Sequence, residues 1–265
     1  MRHTTNTIEI SIVIPTYNEA ENVPVLVRRI HNSLKSNYKI IIVDDNSPDN
    51  TAKIANELGK KYSIKVVNRK GEPDLSQAVM DGFKAAKSKY VCVMDADLSH
   101  PPELITDFLE LIKDEKVDIV VGSRLIEGGG VENWPFHRKL ISKIATLWAR
   151  PLTKVKDPMS GFFLFKKQMI KNVKLTPKGY KILFEMLVKS NCKNFVEIPY
   201  TFRDRVAGKT KLGSKVIFNF IEHAFVLYLF KSKSIIPNMT FYLKNMIYFK
   251  FFTANVKDKK GIPSN

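Results

Sequence analysis

Tyr90-Val-Cys-Val-Met-Asp-Ala-Asp97 joins an unbroken apolar run to two carboxylates one residue apart. A short apolar run of this kind reads as a strand buried on both faces. Similar β-branched runs stand at Ile8–Ile14, Lys39–Val43, Ile64–Val67 and Asp118–Val121. Helix-length stretches separate them, at Ala20–Leu34, Thr51–Lys60, Ser76–Ala86 and Pro102–Ile112. Several carry start signals: Asp49 or Asn50, Asp74, and Pro101-Pro102 with Glu103 in the first turn. Strands that alternate with helices and are apolar on both faces predict an α/β fold with an open, mostly parallel sheet flanked by helices. In such sheets ligands bind outside the carboxyl ends of the strands, which is where Asp95 and Asp97 would sit.

After residue 122 the rhythm changes. A glycine run, Gly128–Gly130, leads to an expected helix at Phe136–Ala149, an apolar segment at Gly161–Phe165, a helix at Tyr180–Ser190 and a strand at Phe195–Tyr200. With no repeats and no low-complexity linker, residues 1–214 read as one domain.

At 265 residues, 44% hydrophobic and 26% charged, the chain can bury a core, which excludes a disordered or fibrous protein. A net charge of +17 points to anionic partners: nucleic acid, a phosphorylated small molecule or an acidic membrane surface. Ten lysines against Glu222 and Asp258 give residues 206–265 a net +8 of that charge, interleaved with aromatics. Two apolar blocks lie there, Val216–Phe230 and Met239–Phe252. In the first, the polar residues Asn219, Glu222 and His223 fall on one narrow helical face. Its 15 residues span roughly 22 Å as a helix, short of a hydrocarbon core about 30 Å thick. The second contains Lys244 and Lys250. Residues 215–265 are therefore expected to form basic, aromatic-rich amphipathic helices lying on a membrane surface. The alternative is that they pack on the domain or make a dimer. A nucleic-acid surface would also suit a basic aromatic tail, but it leaves the acidic strand ends unexplained, so no nucleic-acid partner is expected. Cys92 and Cys192 lie far apart in apolar contexts and fit reduced core thiols in a cytoplasmic protein. Met1–Glu9 is polar, which does not read as a signal peptide.

Four strand ends expose polar groups: Pro15-Thr16-Tyr17-Asn18-Glu19, Val43-Asp44-Asp45-Asn46-Ser47, Asp95-Ala96-Asp97 and Gly122-Ser123-Arg124. Two carboxylates closing an apolar strand are costly to bury without a cation, and hard oxygen ligands suit Mg²⁺ or Mn²⁺, especially beside a diphosphate. Standing alone, the pair also reads as solvated carboxylates ahead of the helix at Pro102. Asp44 or Asp45 is expected to cap the helix that starts at Thr51. Arg138 and Ser142 are four residues apart and share one helical face. A guanidinium fork matches phosphate oxygens, although the ordinary reading of any single arginine in so basic a chain is a solvated surface charge.

Seven collinear blocks carry a more specific signal. They are Ser11-Ile-Val-Ile-Pro-Thr-Tyr-Asn-Glu-Ala-Glu-Asn22, Val43-Asp-Asp-Asn-Ser-Pro-Asp-Asn-Thr51, Met94-Asp-Ala-Asp-Leu-Ser-His-Pro-Pro-Glu103, Val121-Gly-Ser-Arg124, Asp157-Pro-Met-Ser-Gly-Phe-Phe163, Gly179-Tyr-Lys-Ile-Leu-Phe-Glu185 and Phe202-Arg-Asp-Arg-Val-Ala-Gly-Lys-Thr-Lys-Leu-Gly213. Over residues 8–214 the chain resembles the family 2 inverting glycosyltransferases of the GT-A fold, and among them most nearly the dolichyl-phosphate mannose synthases. The resemblance implies that Pro15, Tyr17, Glu19, Val43 and Asp45 hold the nucleoside of GDP-mannose. Asp95, Ala96 and Asp97 would sit at its diphosphate, with Asp97 the direct metal ligand and Asp95 beside it. Ser99 stands where some relatives offer Gln to the metal. Arg124, Arg138 and Ser142 match positions that bind the acceptor's phosphate, and Arg205 and Lys211 match a loop that closes over the phosphates. The catalytic residues so implied are Asp97, Arg124 and Arg205. The chain departs from many members at Arg69–Ala78, where they are richer in glycine, so Asp74 is expected where glycine backbone would approach the ligand. In the closing loop, Lys209-Thr210 replaces the commoner Glu-Ser.

The implied reaction is inverting, metal-dependent transfer of mannose from GDP-mannose to a dolichyl or polyprenyl monophosphate, giving a lipid-linked sugar for glycosylation. It implies a peripheral enzyme at the cytoplasmic face of a membrane, and leaves open whether a separate membrane subunit is a further partner. A UDP-glucose or UDP-N-acetylhexosamine donor with the same lipid is the alternative. A phosphate nucleophile is ionised at pH 7, with a second pKa of about 6, so no strong general base is required. His100, beside Pro101-Pro102, is then expected to be structural, and His137 a neighbour of the acceptor site.

Overall fold

The five apolar runs all become strands, and two later segments join them in one seven-stranded sheet. The computed structural model of the protein describes residues 8–35, 37–132, 134–176, 181–203 and 214–233, without the side chains of His137, residues 214–219 and Lys233. The strands are β1 (Ile10–Thr16), β2 (Tyr38–Asp44), β3 (Ile64–Asn68), β4 (Tyr90–Val93), β5 (Ile119–Ser123), β7 (Phe163–Lys166) and β8 (Phe195–Pro199). Their order is β3-β2-β1-β4-β7-β5-β8, and every pairing is parallel except those of β7 with β4 and β5. The connection reverses between β1 and β4, and a doubly wound sheet opens its ligand crevice at that point.

Helices α1 (Asn22–Leu34), α2 (Thr51–Leu58) and α4 (Ile105–Ile112) cover one face of the sheet, where Ile12, Ile14, Leu26, Ile30, Ile105 and Phe108 form a core. Helices α3 (Leu75–Ala85) and α6 (Ile182–Lys189) cover the other, packing Val79, Phe83, Leu183 and Met186 against Val13, Val43 and Phe163. Gly82 of α3 exists for this contact: a Cβ there would stand 2.2 Å from Val13 Cγ1. Gly82→Ala is expected to destabilise the fold by about 1–3 kcal/mol, the cost of overpacking, despite alanine's better helix propensity. Urea unfolding checks it, and an unchanged midpoint would contradict this account of the contact.

The helix starts follow local chemistry with one correction. Asp74 caps α3, its carboxylate accepting from the Gln77 N–H at 3.1 Å. Neither Asp44 nor Asp45 caps α2. Asp49 does so, accepting from the Thr51 N–H at 3.0 Å and from the Ala20 N–H at 3.0 Å, which ties the loop after β1 to α2. Asp44 instead accepts from the Ser47 N–H and from Thr16 Oγ1, both at 3.0 Å, and stiffens its own turn.

A feature absent from the sequence pattern is a second, two-stranded sheet of β6 (Gly130–Val131) and β9 (Thr201–Phe202). It brings the segment after the glycine run beside the segment after β8. Helix α5 covers Phe136–Ala149, as the apolar spacing predicted, and α7 covers Ser214–Lys233. Helix α7 packs Ala224 and Leu227 against Ala149, Phe184 and Val188, so this part of the C-terminal region is a packing element. Its polar residues do not all face water. His223 is buried with Nε2 3.7 Å from the buried carboxylate of Glu185, while Ile221, Phe225, Val226 and Phe230 face outward. His223 thus turns toward the buried Glu185 while Glu222 of the same polar face stays exposed. Among the described residues no helix is long and apolar enough to cross a membrane. The block Met239–Phe252 lies outside them. Cys92 and Cys192 are free thiols, and burial pushes both up in pKa, Cys192 to about 11.

Candidate active site

The strand ends at the β1/β4 reversal open into one cavity of about 620 Å³. Of the residues singled out in the sequence, Pro15, Tyr17, Glu19, Asp45, Asp95, Ala96, Asp97, Arg124, Arg138 and Ser142 all line it. Val43 does not: its side chain is fully buried in the core against α3. Val43 lies inside β2 on the face that α3 covers, whereas Asp45 stands past the strand's last residue, Asp44, and reaches the cavity. Arg205 and Lys211 lie outside the described residues.

The acidic wall comes from the end of β4. Leu98 has a left-handed backbone (φ 63°), which turns the chain so that Ser99 donates to Asp97 Oδ1 from its N–H at 3.1 Å and its hydroxyl at 2.5 Å. Asp97 is thereby fixed while only 5% exposed. Asp95 is held from behind, its N–H donating to His100 Nδ1 at 3.0 Å. That bond leaves the imidazole proton on Nε2, 3.8 Å from Asp95 Oδ2. Burial pushes the His100 pKa down to about 4, with the charge of Arg124 acting in the same direction against Asp97 and Asp157. His100 is thus a neutral structural group stacked on Phe162 at 5.2 Å, and it also positions the backbone of Asp95. Gly161 completes this wall. A Cβ there would stand 3.3 Å from Asp95 Oδ2 and 3.2 Å from His100 Cε1, so glycine keeps the space beside the carboxylate open.

Two carboxylates facing one cavity offer hard oxygen ligands with room beside them, which fits a divalent cation that takes its other ligands from a bound diphosphate and water. Among the described residues no group of three or more metal-binding side chains occurs. Asp95 and Asp97 are the two carboxylates that the end of β4 brings to this wall.

Asp45 is committed on two sides, accepting from Arg69 and from the backbone N–H of Asp74. Arg69 also donates from Nε to Asp81 at 3.1 Å. Asp74 therefore approaches this corner through its backbone, while its carboxylate caps α3. That is the structural outcome of the glycine-poor segment 69–78.

The basic wall is built differently from the sequence expectation. Arg124 is not a solvated charge: Nε and Nη2 each donate at 2.8 Å to the carboxylate of Asp157, whose side chain is fully buried. Burial alone would raise the Asp157 pKa, but the Arg124 bonds and charge outweigh it and hold the carboxyl below the usual range. Backbone N–H groups of Asp157 and Lys156 donate in turn to Glu197, at 3.1 and 2.8 Å. Arg138 lies 3.9 Å above the Trp134 ring and Arg124 5.5 Å from it, with Phe202 5.8 Å from both guanidinium groups. Cation–π contact lets two like charges share one wall. Trp134 and Phe202 reach this place because β6 and β9 pair beside them.

Sequence reasoning missed Asp157, Trp134 and Lys181 as site residues. The first and third lie inside blocks that carried the family resemblance. Trp134 has no periodic or motif signal. Beyond the charged walls the cavity turns apolar, lined by Ile141, Ile144 and Trp148 of α5 and by Ile182, Phe220 and Ile221 of α6 and α7.

Comparison with known proteins agrees with this geometry. A family model described as glycosyl transferase family 2 matches residues 11–174. The chain is 48% identical over 225 residues to a dolichol-phosphate mannosyltransferase of Pyrococcus furiosus, covering 83% of this chain but 64% of that protein's length. It is 36% identical over 238 residues to the dolichol-phosphate mannosyltransferase of Saccharomyces cerevisiae, covering 84% of this chain and 88% of the yeast protein. Among solved structures it resembles in fold the glucosyl-3-phosphoglycerate synthase of Mycobacterium tuberculosis in complex with Mn²⁺, UDP and glucosyl-3-phosphoglycerate (TM-score 0.61, 19% identity, 87% of this chain and 81% of that one). With a mostly parallel sheet of the GT-A kind, acidic and basic walls at its strand ends and a family match over most of the sheet, the chain belongs to glycosyl transferase family 2.

Proposed function

We propose that the protein transfers mannose from GDP-mannose, with inversion, to the phosphate of a dolichyl or other polyprenyl monophosphate. One observation carries this reading: a single cavity joins the Asp95/Asp97 wall, the Arg124/Arg138 wall and an apolar extension between α5 and α7. A nucleoside diphosphate, a phosphate monoester and a hydrocarbon chain need these three environments in this order. The relatives named dolichol-phosphate mannosyltransferase support the choice of mannose and of lipid. Pro15, Tyr17, Glu19 and Asp45 are assigned to the nucleoside, with Val43 contributing through its backbone.

In the proposed reaction an oxygen of the acceptor phosphate attacks the anomeric carbon. The C–O bond to GDP breaks, and its electron pair leaves on the diphosphate. Asp95 and Asp97 would hold Mg²⁺ or Mn²⁺, which supplies positive charge beside the diphosphate when bound. Arg138 and the outer face of Arg124 orient the acceptor anion, and Ser142 on the same face of α5 adds a hydroxyl. Arg205 and Lys211 are assigned to the phosphates of the donor. No proton needs to be removed from an ionised phosphate, which agrees with a site whose buried histidine is neutral and tied to the backbone.

Residues 1–214 are the proposed transferase domain and 215–265 its basic extension, which rests on the cytoplasmic face of a membrane. Exposed apolar side chains support that placement. Phe136, Leu140, Ile144 and Leu147 recur along one side of α5, Phe136 being 81% and Leu147 64% exposed, and Ile221, Phe225, Val226 and Phe230 do so on α7. Exposed Lys139 and Lys143 stand beside the α5 row, and such residues add roughly 1 kcal/mol each near anionic headgroups.

The test offers the purified protein GDP-mannose, UDP-glucose and UDP-N-acetylglucosamine together with polyprenyl phosphate in detergent and Mg²⁺ or Mn²⁺. Mass spectrometry reads the lipid. The expected product is a mannosyl phospholipid that disappears with EDTA. Another hexose on the lipid would overturn the donor, and a product unchanged by EDTA would overturn the metal. A glycolipid formed only after adding back membranes would assign a separate membrane subunit.

A further inference from the structure

We propose that Lys181 is a third cation for the acceptor phosphate, acting with Arg124 and Arg138 and set at the junction between the charged and apolar parts of the cavity. The inference rests on the transfer reading above, and deepens it by a residue that neither the motifs nor the relatives assign.

Lys181 lines the cavity immediately before α6, and the next residue, Ile182, lines its apolar part. It shares that cavity with Asp95, Arg124 and Arg138, and their charges and that of Asp157 act on its ammonium. Desolvation, reinforced by the charge of Arg124, pushes its pKa down to about 8. Other lysines withdrawn from water find acceptors. Lys166 donates to the carbonyls of Asp114 and Glu115 at 3.0 and 2.8 Å. Lys189 pairs with Glu185 at 2.5 Å and donates to Lys174 O and Thr176 Oγ1 at 3.0 and 2.9 Å. Lys181 makes no hydrogen bond and no ion pair among the described residues, although an ammonium carries three donors. Half-buried on the cavity wall, its ammonium is open to an anionic ligand there.

A second donor on the same wall is also unmet. Trp134 Nε1 is buried with no acceptor among the described residues, beneath Arg138. Arg124 spends two of its three nitrogens on Asp157, so the wall needs another cation to balance a phosphate dianion. Position selects the acceptor over the donor diphosphate. The chain leaves Lys181 directly into the apolar lining at Ile182, as a phosphate leads directly into its isoprenoid.

The chain's two tryptophans, Trp134 and Trp148, both line this cavity, so fluorescence titration with dolichyl phosphate in detergent reads acceptor binding without any sugar transfer. Lys181→Met should weaken it about 10–100-fold, the range expected for a lost hydrogen bond to a charged group. Lys181→Arg should restore most of it. In turnover, Lys181→Met should raise KM for dolichyl phosphate by a similar factor while KM for GDP-mannose stays within about twofold. Lys181→Gln, which keeps the stem and a donor, guards against a packing effect. Equal dolichyl-phosphate affinity in wild type and Lys181→Met would overturn the inference and leave the transfer reading standing, as would a change confined to the donor KM. No binding by the wild type would overturn both.

Discussion

Asp97→Asn loses transfer activity by about 10³-fold or more while its melting temperature stays near that of the wild type. The size follows from what the side chain does. If Asp97 neutralises charge developing on the leaving diphosphate through a bound cation, removing its charge withdraws stabilisation that exists mainly in the transition state, and single preorganised groups of this kind contribute 10²–10³ or more. The preserved fold follows from Ser99. Its N–H and hydroxyl both donate to Asp97 Oδ1, and an asparagine still presents an acceptor there. Asp97→Ala would leave both donors unmet at a buried position, at about 1–3 kcal/mol, so Asn is the cleaner variant. Ser99→Ala should cost about tenfold, as expected when an orienting partner is lost. The measurements are kcat/KM and a thermal melt followed by circular dichroism. Unimpaired turnover in Asp97→Asn would sink the metal assignment.

The second large effect is on stability. Asp157→Ala strands the Arg124 guanidinium, whose side chain is 10% exposed and whose two short bonds end on that carboxylate. Removing one partner of a buried pair costs about 3–5 kcal/mol, because the remaining charge has neither water nor counter-ion. For a chain of this size that is a fall of roughly 10 °C in Tm. The loss should depend on pH in a definite direction. The Asp157 carboxyl is held below its ordinary value in the folded protein, so its contribution is fully present above the unfolded pKa of about 4. It is lost as pH falls through the lower, folded value. Variant and wild type should therefore differ most near pH 7 and converge in acid. Equal Tm values at pH 7 would show that the Arg124–Asp157 pair carries no stability. The same pair predicts that Arg124 variants lose activity partly by misfolding, which separates them from Arg138 variants.

The sequence by itself determined the sheet, the edge of the sheet that carries the site and the acidic half of the chemistry. Each of these is a local signal. Apolar runs set the strands, Asp49 and Asp74 set helix starts, and Asp95 and Asp97 follow their strand wherever it goes. Helix α5 was legible for the same reason, since its spacing alone puts Arg138 and Ser142 on one face. The family blocks named most residues that line the cavity, yet blocks do not say which partner a charge takes. Only the tertiary structure decided that Arg124 is paired with Asp157, 33 residues along the chain, that Lys181 lines the same cavity with no ion pair among the described residues, and that Val43 turns into the core. It also turned His223 inward to Glu185, although the helix pattern groups it on one face with the exposed Glu222. The physical reason is common to all of them. Strand and helix periodicity are properties of neighbours in sequence, whereas the energy of a buried charge depends on what stands within a few ångströms of it, and that is fixed only when distant segments meet.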